Sequence, residues 1–251
     1  MLEISGITQV FGGVTALKDV SFSVCKGDIT GVIGPNGAGK TTLFNIISGI
    51  YTQTTGTITL EGRNVSGAPP EDLARLGMVR TFQNIELFNA MSVRENVMVG
   101  RHTRSSSGLL ACSLKMPWAL REERRIRSEA EKWLDFTGIS DLADVVAGNL
   151  PFGKGRLLEI ARALAVEPSI ILMDEPAAGL NSQETLALAQ LIRRIREMGI
   201  TIVLVEHDME LVMDICDRII VLNLGMKLAE GTPREIQDNH EVIAAYLGDD
   251  D

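Results

Sequence analysis

The nine residues from Gly34 to Thr42, GPNGAGKTT, constrain the fold of this chain more than any other stretch. They meet every fixed position of the pattern Gly, four free residues, Gly-Lys-Ser/Thr, with Gly34, Gly39, Lys40 and Thr41 as its anchors. The flanking residues supply the matching context. DITGVIG before the loop is an apolar, β-branched run that reads as a buried strand, and TTLFNIISG after it has helical periodicity ending at Gly49. Strand, glycine-rich turn and helix in that order let backbone N–H groups converge on an anion at a helix N-terminus. The pattern therefore predicts a bound nucleoside triphosphate. Lys40 is placed for the β- and γ-phosphates and Thr41 for Mg²⁺, with Pro35, Asn36, Gly37, Ala38 and Thr42 completing the cradle.

A chain of 251 residues makes one large or two small domains. The longest apolar stretches, IILM at 170–173 and ITIVLV at 200–205, are strand-sized, far below the roughly 18 residues that cross a membrane. The opening MLEISGITQV alternates like a strand and lacks the charged-then-apolar pattern of a leader, so a cytosolic location, or one peripheral to a membrane that other chains span, is expected. Cys25, Cys112 and Cys216 are isolated and suggest neither a disulfide framework nor a zinc site. A net charge of −9 speaks against non-specific binding to nucleic acid. One stretch runs the other way. From Arg101 to Arg127 seven basic residues face only Glu122 and Glu123, a local charge of +5. A solvated helix face is the simplest account, and a surface near anionic lipid is the sharper one.

Up to about residue 83 the chain reads as strands broken by turns, with one helix after the phosphate loop. From about 92 to 147, charged residues fall between apolar ones at three- and four-residue spacing, which predicts a helical insert whose middle, RSSSGLLACS, is a loop. After Pro168 the pattern alternates: IILMD, QETLALAQLIRRIREM, ITIVLVE, a further helix, then RIIVLN. Alternation of strands and helices indicates a parallel sheet with helices on its faces.

The run from Ile170 to Glu175 places two acids at the carboxyl end of a predicted strand, where ligands of parallel sheets bind. Asp174 is placed to hold Mg²⁺ through its water shell and Glu175 to polarise an attacking water as general base. His207 follows the next apolar strand and is placed to reach the γ-phosphate, although alone it would read as a solvated loop histidine. Gln83, at the junction with the helical insert, is placed to touch the metal or the water while reporting occupancy to that insert, although alone it would read as an ordinary polar loop residue.

Taken in order, Phe11, GPNGAGKTT, Gln83, the helical insert, LPFGKGRLLEIARAL, ILMDEPAAGLN and EHD resemble the ATP-binding subunits of ABC transporters nearly end to end. Within that family the segments VRTFQNIELFNAMSVRENVMVG, VEHDMELVMDICDRIIVLNLGMKLAEGTP and EVIAAYLG are most similar to ATPases of branched-chain amino-acid importers. The resemblance implies an α/β P-loop NTPase fold with a mixed-sheet core, an N-terminal antiparallel β part and an inserted helical subdomain. It implies one ABC ATPase domain over 1–251, with 1–83 and 150–251 forming the core and 84–149 the helical part. It also implies that Phe11, where the family more often has Tyr, stacks on adenine, and that Gln83 couples the site to a membrane partner through the residues up to Asn96. Glu175 would be the base and His207 the γ-phosphate contact. Ala178, Gly179, Leu180 and Asn181 would cross to a partner ATPase, with Asn181 replacing a commoner Asp.

The signature segment departs furthest from the family. Leu150, Pro151, Phe152, Gly153 and Lys154 stand where Leu-Ser-Gly-Gly-Gln is usual, so Pro151 cannot supply the serine hydroxyl that contacts the opposite subunit's nucleotide. Gly153 still permits close approach, the following helix presents its N-terminus, and Lys154 either adds a charge there or points into solvent. The implied assembly has a second, homologous and different ATPase chain, two transmembrane permease subunits and, indirectly, a solute-binding protein, on the cytoplasmic face of the inner membrane. ATP and Mg²⁺ are the implied cofactors, and nucleic acid is not an implied partner. Rival readings keep the ATPase and change the cargo to urea, another polar solute or an exported lipid. Others make the chain a soluble ABC protein acting on DNA or ribosomes, or a nucleotide-sensing regulator.

Overall fold

The computed structural model describes residues 1–81, 86–102 and 117–247. Gln83, the RSSSGLLACS segment, Cys112 and the acidic tail from Asp249 lie outside the described residues. The chain divides into two compact units, Met1–Gln83 with Ser169–Asp251, and Asn84–Pro168.

The first unit carries two sheets. Strands β1 (Leu2–Phe11), β2 (Val14–Val24), β4 (Thr55–Leu60) and β5 (Arg63–Asn64) form an antiparallel sheet in the order β2-β1-β4-β5. Alternation along LEISGITQV buries Leu2, Ile4 and Ile7 and turns Glu3 and Ser5 to solvent, the period of a strand with one wet face. The second sheet takes β3 (Ile29–Ile33), β6 (Met78–Thr81), β7 (Ile170–Asp174), β8 (Thr201–Val205), β9 (Arg218–Asn223) and β10 (Met226–Gly231) in the order β10-β9-β3-β8-β7-β6. Only β10 runs antiparallel to its neighbour. Every residue of β3, β7 and β8 is buried, which is why these runs are continuously apolar instead of alternating. The parallel sheet expected from the strand–helix alternation is present, and the antiparallel β10 makes it mixed.

Helices α1 (Lys40–Ile47) and α2 (Pro70–Arg75) belong to this unit. Phe44, Ile46 and Ile47 of α1 join Leu172, Val203 and Val205 of the sheet in one apolar core.

The second unit is helical: α3 (Val93–His102), α4 (Pro117–Thr137) and α5 (Phe152–Ala165). Val93, Val97, Leu134, Leu158 and Ala161 meet in its core. This unit extends to Pro168 and so takes in α5, whereas the sequence reading ended the helical part at 149 and placed 150 onward with the core. Packing explains the shift, because the apolar face of α5 has its partners on α3 and α4. In the basic stretch Arg124, Arg125 and Arg127 are exposed and Arg101 pairs with Glu167 at 2.6 Å, while Arg104, Lys115 and the Arg121 side chain lie outside what the structure describes.

The remaining helices return to the first unit: α6 (Ser182–Glu197), α7 (Met209–Ile215), α8 (Pro233–Gln237) and α9 (His240–Leu247).

Candidate active site

The phosphate loop joins β3 to α1 in a conformation that its glycines permit. A Cβ on Gly34 would stand 2.1 Å from the Leu222 carbonyl oxygen, and one on Gly39, at φ 101°, would meet Leu17 Cδ2 at 2.7 Å. No side chain caps α1 and no acid stands in its first turn, so its N-terminal dipole is left for an anion. Lys40 Nζ donates to the Gly34 and Pro35 carbonyls at 2.6 and 2.8 Å, closing the loop over itself. Burial lowers the Lys40 pKa below the ordinary lysine value, with the charge of Glu175 acting in the opposite direction.

The loop from Asn36 to Thr42 lines a cleft of about 620 Å³, and Glu175 and His207 reach the same cleft from the ends of β7 and β8. His207 Nε2 lies 2.9 Å from Glu175 Oε1, so two groups 32 residues apart in sequence form one pair beside the phosphate loop. Glu175 adopts a left-handed φ of 46°, a conformation that costs a side chain roughly 1 kcal/mol or more. Its N–H donates to Val205 O at 2.9 Å, which anchors that turn to the end of β8. Strain of this kind, held in place by the surrounding sheet, aims the carboxylate into the cleft.

Asp174 sits one residue earlier, 4 % exposed, with Oδ2 held 2.5 Å from Arg80 Nη2. The same guanidinium donates to Asn45 Oδ1 and Ser48 Oγ, linking β6, β7 and α1 behind the loop. Among the described residues no group of three or more His, Cys, Asp or Glu side chains could cage a metal. Thr41 and Asp174 offer oxygen donors only, the chemistry suited to Mg²⁺, which takes one or two protein groups and completes its shell with water and phosphate oxygens. Gln83, the third expected ligand, lies outside the described residues.

Phe11 is 42 % exposed and packs edge-on against Tyr51 at 5.5 Å. It does not line the cleft itself. The cleft is completed by Val14, Thr15 and Ala16 of β2 together with Leu224 and Gly225, which adjoin β2 where the Gly225 carbonyl accepts the Lys18 N–H at 2.8 Å. These residues carry no motif, and tertiary contact alone reveals them. Arg80 and Glu206 were likewise unassigned by sequence reading. Glu206 is 4 % exposed: burial raises its pKa, while the backbone N–H groups of Ala177, His207 and Asp208 pull it back down.

The loop from Ala178 to Asn181 leads from the site into α6. Gly179 takes φ 80°, and the Asn181 side chain accepts the N–H groups of Gln183 and Glu184 at 3.0 Å while Glu184 returns a bond to the Asn181 N–H. This capping box explains an Asn at the position by local structure, and the N-S-Q-E spelling carries its signal. In the second unit Pro151 is the N-cap of α5, with no side-chain cap and no acid in the first turn. Phe152 is 51 % exposed, and Gly153 and Lys154 are half-buried. Behind them Arg156 and Glu159 form a fully buried ion pair at 2.8 Å.

A phosphate loop between a parallel strand and a helix, beside a strand-end Asp-Glu pair and a facing histidine, defines a P-loop nucleotide-hydrolysing protein. The chain belongs to the ABC transporter family, whose model matches residues 17–178, and it is an ATP-binding subunit and ATPase of that class. A second model, branched-chain amino acid ATP-binding cassette transporter, matches residues 226–251. The chain is 46 % identical over 250 residues to the high-affinity branched-chain amino acid transport ATP-binding protein BraF of Pseudomonas aeruginosa, covering 99 % of this chain and 98 % of the relative. Among solved structures it resembles a nucleotide-free ATP-binding cassette from an ABC transporter, with TM-score 0.86 and 34 % identity over 99 % of both chains. It also resembles a bacterial ABC transporter cassette solved as a dimer, with TM-score 0.78 and 26 % identity over 93 % of this chain and 99 % of that one.

Proposed function

We propose that this chain powers an importer of branched-chain or related amino acids from the cytoplasmic face of the inner membrane. It would work with a second, homologous ATPase chain, two transmembrane permease subunits and, indirectly, a solute-binding protein. The cargo assignment is supported by the similarity to BraF, a branched-chain amino acid transport ATP-binding protein, and by the family model matched over residues 226–251. The absence of any long apolar helix among the described residues accords with membrane-spanning partners on other chains.

In this reading the backbone from Gly34 to Thr42 grips the phosphates and Lys40 exchanges its carbonyl partners for β- and γ-phosphate oxygens. Thr41, Asp174 and Gln83 hold Mg²⁺, which when bound offsets phosphate charge. Phe11 stacks on the adenine. Glu175 accepts the proton of the attacking water, and His207 contacts the γ-phosphate and keeps the carboxylate oriented. Leu150 to Lys154 serve the nucleotide of the partner ATPase, and Ala178 to Asn181 cross to it. The observation that carries this mechanism is the Glu175–His207 contact at 2.9 Å on the wall of the phosphate-loop cleft.

The test is Glu175→Gln in the chain expressed with its membrane partners. ATP hydrolysis is expected to fall by about 10² or more, an ATP-loaded closed ATPase dimer to accumulate, and uptake of labelled leucine to stop. Hydrolysis at the normal rate would refute the base assignment, and uptake of labelled leucine unaffected by deletion of the chain would refute the cargo.

A further inference from the structure

The strand ends that carry the site are joined beyond the reach of their backbone ladder. The β7–β8 register finishes with Asp174 opposite Val205, and one more backbone bond runs from Glu175 N–H to Val205 O. There the chains diverge, β7 into the loop toward Asn181 and β8 into the loop bearing His207. The carboxylate of Glu206 bridges them. Its Oε1 accepts the Ala177 N–H at 2.7 Å, and its Oε2 accepts the His207 N–H at 3.0 Å and the Asp208 N–H at 3.5 Å. Ala177 is two residues past Glu175 and directly precedes the loop from Ala178 to Asn181. The two oxygens therefore serve different loops, each of which holds one member of the Glu175–His207 pair.

We propose that Glu206 is a positioning residue for ATP hydrolysis: its carboxylate fixes the loop bearing His207 against the loop that begins at Glu175, and so sets the geometry between base and histidine. The inference rests on the roles given to Glu175 and His207 above. The chemistry favours a carboxylate at this position. Both loops present backbone donors, and an ionised carboxylate is acceptor-only at both ends, whereas an amide of equal length must turn an NH₂ toward one of them. A shorter hydroxyl would reach one loop alone. Because the same carboxylate holds Ala177, displacement of the His207 loop would also pull on the segment that crosses to the partner ATPase.

The experiment uses the assembled transporter. Glu206→Ala is expected to lower kcat for ATP hydrolysis at least tenfold with KM for ATP changed less than about threefold, since the phosphate loop is untouched. Glu206→Asp, acceptor-only but shorter, is expected to recover part of the rate, and Glu206→Gln to remain low. In a His207→Ala background, adding Glu206→Ala is expected to cost less than about twofold further, because residues acting through one another do not multiply their effects. Unchanged kcat in Glu206→Ala, a rise in KM alone, or multiplying effects in the double variant would each overturn the proposal. If Glu206→Ala does not fold, the near-isosteric Glu206→Gln decides, and normal turnover by it would overturn the proposal equally. Glu175→Gln assayed in parallel separates the two levels. Normal hydrolysis by Glu175→Gln removes the base on which the inference rests. An inactive Glu175→Gln beside an unimpaired Glu206→Ala removes the Glu206 proposal alone.

Discussion

At residue scale the phosphate loop depends on two kinds of glycine that its sequence does not distinguish. Gly34 has no room, since a Cβ would lie 2.1 Å from a backbone oxygen of Leu222, whereas Gly37, at φ 77°, has nothing within 4 Å. The Leu222 backbone belongs to β9 and cannot rotate away as a side-chain tip could. Gly37→Ala is therefore expected to cost roughly 1–2 kcal/mol of conformational strain and leave nucleotide binding measurable. Gly34→Ala is expected to cost more than about 3 kcal/mol and to abolish binding. Thermal melting with and without ATP measures both, and comparable effects of the two substitutions would contradict the steric account.

At element scale, three of the helix starts are set by reciprocal caps. Ser92 and Glu95 exchange hydrogen bonds at the start of α3, as do Asn181 and Glu184 before α6 and Thr232 and Glu235 before α8. Thr232→Ala is expected to cost about 1 kcal/mol. The carboxyls of Glu95 and Glu235 are held below the ordinary glutamate value, first by the backbone N–H groups of Ser92 and Thr232 and then by their hydroxyls. A depressed folded-state pKa gives stability that is present above the unfolded value of 4.5 and is lost as pH falls through the lower folded value. The stability gap between the native chain and a Glu95→Gln, Glu235→Gln double variant is therefore expected at neutral pH and should close below pH 4.5. Denaturant midpoints across that range check the sign, and a gap that widened in acid would contradict it. These caps were written in the sequence as S-x-x-E, N-x-x-E and T-x-x-E. The placement of α5 was less visible, because an amphipathic period shows that a helix has a buried face without saying which neighbours bury it.

At the scale of the whole molecule, the signature and the phosphate loop lie in different compact units, and the proposed assembly gives each a counterpart on another chain. Pro151 caps α5 without a hydroxyl to offer, so the nucleotide that this signature serves would be held by the backbone N-terminus, Gly153 and Lys154 without a serine donor. Pro151→Ser is expected to raise ATPase turnover of the assembled transporter severalfold by adding a donor of the kind worth about 1 kcal/mol. A steady-state phosphate-release assay decides, with no change or a fall counting against the idea. Exposure of Phe152 and burial of the Arg156–Glu159 pair indicate that the segment is supported from beneath while its tip remains open.

The sequence by itself determined the nucleotide loop, the strand-end acids and the helical insert, because each rests on local spacing that backbone geometry enforces, and its resemblance to transporter ATPases implied the class. Tertiary structure decided the rest. It brought Glu175 to His207, set Arg80 behind Asp174, formed cleft walls from Val14, Ala16 and Leu224, and gave Glu206 two loops to hold. Those contacts join residues whose sequence separation is fixed by strand order, and a parallel sheet reveals its strand order only when it is folded.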